Sequence, residues 1–157
     1  MEWADVLNDK SLQDLPYKIE LNGYGQIVMS PASNWHSNLQ MKIGLMMSRQ
    51  SKTGTVLTES SVQTSDNVKS PDVIWASDKF MKLHGWETPF TAAPEICVEV
   101  LSPSNSKAEI ELKRRLYFGK GAKEVWLCDN DGAMSFYDPS GEIAQSRIFK
   151  KFPRKIK

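Results

Sequence analysis

The sequence predicts an α/β protein with a mixed β-sheet flanked by helices, and three local patterns support this prediction. Residues 96–100 alternate between aliphatic and other side chains, which is typical of a strand with two unlike faces. Residues 124–128 are expected to form a second buried strand, and between the two strands Ser106 and Glu109 match the capping box that begins a helix. A strand, a helix and a strand in this order form a βαβ crossover, so we expect the two strands to be parallel.

The other elements are predicted in chain order from shorter patterns. Residues 1–16 are expected to hold one or two short helical turns. The segment Asn22-Gly-Tyr-Gly separates two strand-like runs and predicts a hairpin, although the first run could instead end a helix. Ser33 or Asn34 can cap a helix that runs to about Ser48. The remaining predictions are strands at 53–59, from Pro71 onward, at 134–137 and at 146–149, and a short helix at 78–84.

Length and composition favour one domain over residues 1–157. The chain has 20 Lys and Arg, 19 Asp and Glu, and a formal net charge of +1. No apolar run reaches the ~20 residues of a membrane span, and no secretory signal is visible, so we expect a cytoplasmic protein that does not bind the membrane. Cys97 and Cys128 lie in apolar runs, which indicates reduced thiols. The near-neutral charge argues against coating of nucleic acid by bulk charge.

The charge is unevenly distributed along the chain. Residues 147–157 contain six cations and no carboxylate, which leaves 14 cations against 19 carboxylates, or −5, in residues 1–146. A basic tail of this kind can bind phosphate through local counter-ion release. A solvated, partly frayed terminus is the alternative interpretation.

Charged residues at apolar positions are the strongest functional signal. On a helical wheel, Lys113 lies in the middle of the apolar stripe of the crossover helix, with Tyr117 one turn away. An ammonium group there needs a buried partner, unless its stem packs while its head reaches solvent. Glu99 interrupts an otherwise apolar strand, and Asp72 begins another strand-like run.

Carboxylates on two adjacent strands can converge on one side of a sheet, where hard cations prefer oxygen ligands. Mg²⁺ suits such a site because it binds few protein ligands and keeps several waters. Two carboxylates, a metal and a lysine are the groups needed to hydrolyse a phosphodiester. Alternatively, Asp72 caps a strand end and Glu99 pairs with Lys113 for structural reasons only. Spacing alone leaves both interpretations open.

Several motifs, taken in order, resemble one bacterial family. They are Pro71-Asp72-Val73, Pro94-Glu-Ile-Cys-Val-Glu99-Val-Leu-Ser-Pro-Ser, Lys113-x-x-x-Tyr117 and Gly121-Ala-Lys-Glu-Val-Trp-Leu, preceded by Glu20-Leu-Asn-Gly23, Ile27-Val-Met-Ser-Pro and His36. Over residues 17–138 this arrangement resembles the Uma-two family of restriction endonucleases, in the PD-(D/E)xK nuclease superfamily. The resemblance implies a restriction-endonuclease-like fold and a Mg²⁺-dependent endonuclease that hydrolyses the phosphodiester bonds of DNA.

The resemblance also implies roles for individual residues. Asp72 and Glu99 would bind the metal, with the carbonyl of Val100 as a third oxygen ligand and Mn²⁺ as a substitute for Mg²⁺. The superfamily pattern expects a lysine two residues after the acid, but this chain has Leu101. The resemblance implies that Lys113 replaces this catalytic lysine, and the helical wheel singles out the same residue independently.

Further residues are expected around this centre. Glu20 resembles an additional N-terminal acid of some members, with a surface strand glutamate as the alternative. His36 shares the apolar side of its helix, which favours a packed or capping histidine over a catalytic one. The residues expected to bind nucleic acid are Arg114, Arg115, Tyr117, Lys150 and Lys151. Family analogy alone implies a homodimer. The sequence has no glycine-rich phosphate loop, so we expect no nucleotide cofactor.

Two other function classes stay open. One is a catalytically inactive nucleic-acid-binding or assembly protein on the same fold, which Leu101 in the usual lysine position would suit. The other is an oligomerisation scaffold in which the buried charges are only structural.

Overall fold

A computed structural model describes residues 1–157, and its centre is a six-stranded mixed β-sheet. The strands lie in the order β10 (Gly141–Ile143), β9 (Met134–Asp138), β8 (Glu124–Cys128), β7 (Ile96–Val100), β6 (Val73–Ala76) and β3 (Thr55–Thr58). Strands β7 and β8 run parallel, and the other neighbouring pairs are antiparallel. The predicted mixed sheet with one parallel pair is confirmed.

Helix α4 (Lys107–Gly119) is the predicted crossover between β7 and β8. Ser106 caps it, because its side chain accepts a hydrogen bond of 3.1 Å from the backbone N–H of Glu109. Only this half of the predicted capping box forms, since the Glu109 carboxylate accepts from the side chain of Asn105 instead, at 3.2 Å. After the helix, Gly121 has a φ of 100°, which only glycine adopts readily, and the chain turns there into β8.

Three helices precede the crossover. They are α1 (Trp3–Asn8), α2 (Asn34–Gln50) and α3 (Asp78–His84), and a 3-10 turn at Lys10–Leu12 follows α1. Ser33 caps α2, since its hydroxyl accepts from the backbone N–H of His36 at 3.1 Å. The buried side chains of Leu39, Ile43 and Met47 pack α2 against the sheet. None of the helices has the length and apolar character that a membrane span requires.

Two hairpins lie outside the central sheet. The first pairs β1 (Tyr17–Leu21) with β2 (Ile27–Pro31), as predicted. The second pairs β4 (Val62–Thr64) with β5 (Asn67–Lys69), and the sequence did not indicate it. Its strands are only three residues long, which is too short for a clear alternation to develop.

The C-terminal tail is anchored to the core. Phe149, Phe152 and Ile156 are each at least 96% buried among the aromatic side chains of β8 and β9. The buried carboxylate of Glu124 accepts the backbone N–H of Arg147 at 2.8 Å. A frayed terminus is therefore wrong for this chain. The predicted strand at 146–149 is also wrong, because these residues turn onto Glu124 instead of pairing with a strand.

Candidate active site

A polar cavity of about 210 Å³ opens where the first hairpin meets the edge of β6, β7 and α4. Its lining includes Asp72, Glu99, Val100 and Lys113, which the sequence singles out, and Lys18, which it does not. The alternation of the strands explains why the two acids meet. Cys97 and Ile74 face the α4 side of the sheet, so Glu99, two residues after Cys97, and Asp72, two residues before Ile74, face that side as well.

Asp72 is held by the backbone of the neighbouring strand. Its own N–H donates to the carbonyl of Val98 at 2.9 Å, beside the Val73–Val98 pair with which the pairing of β6 and β7 begins. Its carboxylate accepts from the N–H of Val100 through Oδ2 at 2.7 Å. The second oxygen, Oδ1, lies 3.3 Å from Nε2 of His36. The Asp72 carboxylate is thus fixed just before β6 begins, with Oδ1 directed toward His36 in the cavity.

Lys113 points inward from α4 and bridges two carboxylates. Its Nζ donates to Oε1 of Glu20 at 3.0 Å and to Oε2 of Glu99 at 3.2 Å. Lys113 is 7% exposed and Glu20 is 6% exposed. Glu20 also accepts the backbone N–H of Ser70 at 2.8 Å. The alternatives of a snorkelling lysine and of a surface glutamate are therefore both wrong.

Tyr117 requires a correction of its expected role. The side chain is fully buried, and its hydroxyl donates to Oε1 of Glu99 at 2.6 Å. It therefore has no surface with which to contact a nucleic acid. The hydrogen bond instead orients the Glu99 carboxylate, whose other oxygen faces Lys113.

Lys18 is the residue that sequence reasoning missed. Its Nζ donates to Oδ1 of Asp72 at 2.8 Å and lies 3.5 Å from Oε2 of Glu99. The two-residue period of a strand could have indicated that Lys18 lies at the site. Residues two apart on a strand share a face, so placing Glu20 at the site also brings Lys18 to it.

Burial and charge shift the pKa values of the two acids in opposite directions. Burial raises the pKa of Glu99, and the charges of Lys113 and Lys18 only partly offset it. Burial also acts to raise the pKa of Asp72, but the contact with His36 and the charge of Lys18 outweigh it and lower this pKa to about 2. Burial lowers the pKa of both lysines, yet the surrounding carboxylates more than compensate and raise it. Asp72 and both lysines are therefore charged at neutral pH.

The low pKa of Asp72 predicts how Asp72→Asn changes acid stability. An acid whose pKa is lower in the folded chain than its ordinary 3.8 stabilises the fold above that value, and this contribution is lost as the pH falls toward 2. We therefore expect Asp72→Asn to be less stable than wild type at pH 6, with a difference that shrinks below pH 4. Urea unfolding of both proteins between pH 3 and 6 measures this. A difference that stays constant over this range would contradict the ionised, paired state of Asp72.

The donor set fits a hard divalent cation. Asp72 and Glu99 already face one cationic group, the Lys18 ammonium, so the two carboxylates converge on a common point. No cluster of three or more His, Cys, Asp and Glu side chains has the arrangement of a metal site, and the ammonium groups lie among the carboxylates. Mg²⁺ is commonly held by one or two carboxylates with water completing its shell, so two acids suffice.

The structure separates the residues expected to bind nucleic acid. Arg114 stacks on the ring of Tyr137, with its guanidinium carbon 4.0 Å from the ring centre, and Arg115 is exposed on the same helix. Lys150 and Lys151 are exposed but lie near Gln50, at the far end of α2 from His36. Gln50 follows His36 by fourteen positions along the helix, which corresponds to about 21 Å. These two lysines do not form part of the cavity.

The fold and the site together define a restriction-endonuclease-like α/β protein, and comparisons with known proteins agree. The structure is similar to the crystal structure of a putative nuclease belonging to DUF820 from Anabaena variabilis, with a TM-score of 0.69 and 19% sequence identity over 90% of this chain and 82% of that chain. At this identity the likeness shows the fold. A search of curated proteins finds no match.

The chain belongs to the Uma2 family, described as "putative restriction endonuclease", whose family model matches residues 9–153. The family resemblance in the sequence is thereby confirmed. Family and fold together support a nuclease of the restriction-endonuclease type.

Proposed function

We propose that the protein is a metal-dependent endonuclease that hydrolyses phosphodiester bonds of DNA. The observation that carries this proposal is the convergence of Asp72, Glu99 and Lys113, three buried ionisable groups from separate parts of the chain, at one polar cavity. Burying several ionisable groups lowers the stability of the fold unless each is paired, and apolar residues in the same space would give a fold of equal or higher stability. A catalytic use accounts for this cost, and membership of the Uma2 family supports a nuclease.

In this mechanism each residue has a defined task. Asp72 and Glu99, with the carbonyl of Val100, would hold Mg²⁺, or Mn²⁺ in its place, and the bound ion would polarise the phosphate and acidify a water. The N–H of Val100 fixes the orientation of Asp72 at 2.7 Å, and the hydroxyl of Tyr117 does the same for Glu99 at 2.6 Å. Lys113, held by Glu20, would stabilise the negative charge that develops on the phosphate.

DNA binding is assigned to cations outside the cavity. Arg115 on α4 is exposed, as are Lys150 and Lys151 in the tail, and a phosphate backbone can contact such groups through counter-ion release. The carboxylates of the cavity repel the same backbone until a cation binds. We therefore include in the proposal that DNA binding is weak and salt-sensitive without metal, and that a homodimer positions two sites for double-strand cleavage.

Metal removal tests the proposed activity. We expect the protein to convert supercoiled plasmid to nicked or linear DNA with Mg²⁺ or Mn²⁺, to stop when EDTA is added, and to resume when the ion is restored. Agarose-gel densitometry over time measures the rate. The proposal fails if cleavage continues unchanged in EDTA, or if neither ion supports cleavage of single- or double-stranded DNA.

One observation favours a second candidate function, a catalytically inactive nucleic-acid-binding protein. Leu101 occupies the position where the superfamily pattern has lysine, and lysines from other elements neutralise the carboxylates. Such a protein would bind DNA in a salt-dependent way, with no cleavage and no divalent-ion site in calorimetry. The plasmid assay and a metal titration therefore separate the two functions.

A further inference from the structure

Lys18 contacts both proposed metal ligands. Its Nζ lies 2.8 Å from Oδ1 of Asp72 and 3.5 Å from Oε2 of Glu99. Lys113, the other buried lysine of the cavity, contacts Glu99 and Glu20 but not Asp72. Lys18 is thus the one lysine that bridges the pair, and its ammonium lies where a cation shared by both carboxylates would lie.

The charges of the buried cluster explain why a lysine should stand there. Counted as ionised, the three carboxylates of Glu20, Asp72 and Glu99 face two ammonium groups, which leaves one negative charge beside the imidazole of His36. Without Lys18 the cluster would carry two uncompensated negative charges in a desolvated environment, which is costly. Two negative charges are also what one divalent cation neutralises. Lys18 and a divalent cation are therefore alternative ways to balance the same pair.

We propose that Lys18 is a tethered counter-ion that occupies the cation position between Asp72 and Glu99 and withdraws when a divalent metal binds. This inference rests on the metal site of the proposed function. Two cations cannot share one pair of carboxylates at about 3 Å without strong repulsion, so each binds at the expense of the other. Lys18 therefore lowers the affinity for the metal and keeps the two carboxylates in place while no metal is bound.

The position of Lys18 allows this exchange. The residue lies on β1, in the hairpin outside the central sheet, and its side chain is 12% exposed at the wall of the cavity. A lysine side chain has four rotatable carbon links, so the ammonium can move into the cavity while the strand stays in place. Lys113 lacks this freedom, because it is clamped between Glu20 and Glu99.

Calorimetric titration with Mn²⁺ tests the competition. We expect Lys18→Met, which keeps an unbranched stem one atom shorter than that of lysine and removes the charge, to bind Mn²⁺ roughly tenfold more tightly than wild type or better. Lys113→Met is the matched variant, because it removes a charge from the same cluster without vacating the bridging position, and its affinity should rise less. Lys82→Met removes an exposed charge on α3 and should bind Mn²⁺ like wild type.

A second measurement needs no substitution that could disturb folding. In wild-type protein, the ammonium signal of Lys18 in a ¹⁵N-correlated NMR spectrum should shift or vanish as diamagnetic Mg²⁺ is added, while that of Lys113 persists. The inference is overturned if the Lys18 signal stays unchanged at saturating Mg²⁺, if Lys18→Met binds Mn²⁺ like wild type, or if Lys113→Met gains as much affinity. If neither wild type nor Lys18→Met binds Mn²⁺, the metal site of the proposed function itself is absent.

Discussion

Asp72→Asn is expected to lower the rate of metal-dependent plasmid cleavage by roughly 1000-fold, at unchanged Mg²⁺ concentration. The substitution keeps the size of the side chain, and the amide oxygen can still accept the N–H of Val100, which lies 2.7 Å away in wild type. It removes the negative charge that faces the cation position, together with the partner of Lys18. The expected loss is therefore electrostatic and does not require a change of fold.

The matched control for this variant is Asp131→Asn, the same chemical change in the exposed turn between β8 and β9. We expect this control to cleave at the wild-type rate. Circular dichroism of both variants checks that each is folded, and initial rates are compared with Mg²⁺ and with Mn²⁺. If folded Asp72→Asn cleaves plasmid as fast as the control, Asp72 is not a metal ligand for the reaction.

Deletion of residues 147–157 is expected to abolish cooperative folding. The segment contributes Phe149, Phe152 and Ile156, each at least 96% buried in the core formed with Trp126. Truncating a buried Phe or Ile to Ala commonly costs about 2–5 kcal/mol, and the whole stability of a domain is about 5–15 kcal/mol. Deletion also leaves the buried carboxylate of Glu124 without the N–H of Arg147. Thermal unfolding followed by circular dichroism measures the effect.

The control for the truncation changes charge without touching the core. The double variant Lys150→Ala/Lys151→Ala alters two exposed side chains, so it should keep a cooperative transition within a few degrees of the wild-type Tm. It is therefore the appropriate protein in which to measure a contribution of the tail to DNA affinity. A truncated chain that unfolds cooperatively at the wild-type temperature would show that the aromatic anchors are dispensable.

The fold could be predicted where the governing patterns are local. The alternation around Glu99 and the cap at Ser106 each lie within a few residues, and together they indicate the parallel pair and its crossover. The strand expected at 146–149 was wrong because its apolar residues serve a different contact. Phe149 packs among core aromatic residues, while the neighbouring backbone donates to the Glu124 carboxylate. The sequence pattern of such a buried loop is the same as that of a short strand, so the pattern alone cannot distinguish the two.

The site could be predicted where a charge conflicts with its surroundings. Lys113 in an apolar stripe and Glu99 in an apolar strand are such conflicts, and the structure brings their side chains within 3.2 Å. Lys18 creates no conflict, because lysine at the start of a hairpin strand is ordinary, and its partner Asp72 lies 54 residues away. The wheel also places Tyr117 on the buried stripe, so its hydroxyl needed an internal partner rather than a nucleic acid.

The first hairpin makes the stability of the site separable from the stability of the central sheet. Strands β1 and β2 share no ladder with the central sheet, yet they supply Lys18 and Glu20. The hairpin is tied to the body through side chains, among them Glu20 on the N–H of Ser70 and Lys69 on the carbonyl of Leu21, both at 2.8 Å. Local opening can therefore take the cluster apart while the six-stranded sheet stays folded. The fraction of molecules in which the cluster is assembled is set by the docking equilibrium of these fifteen residues, and not by the stability of the domain around them.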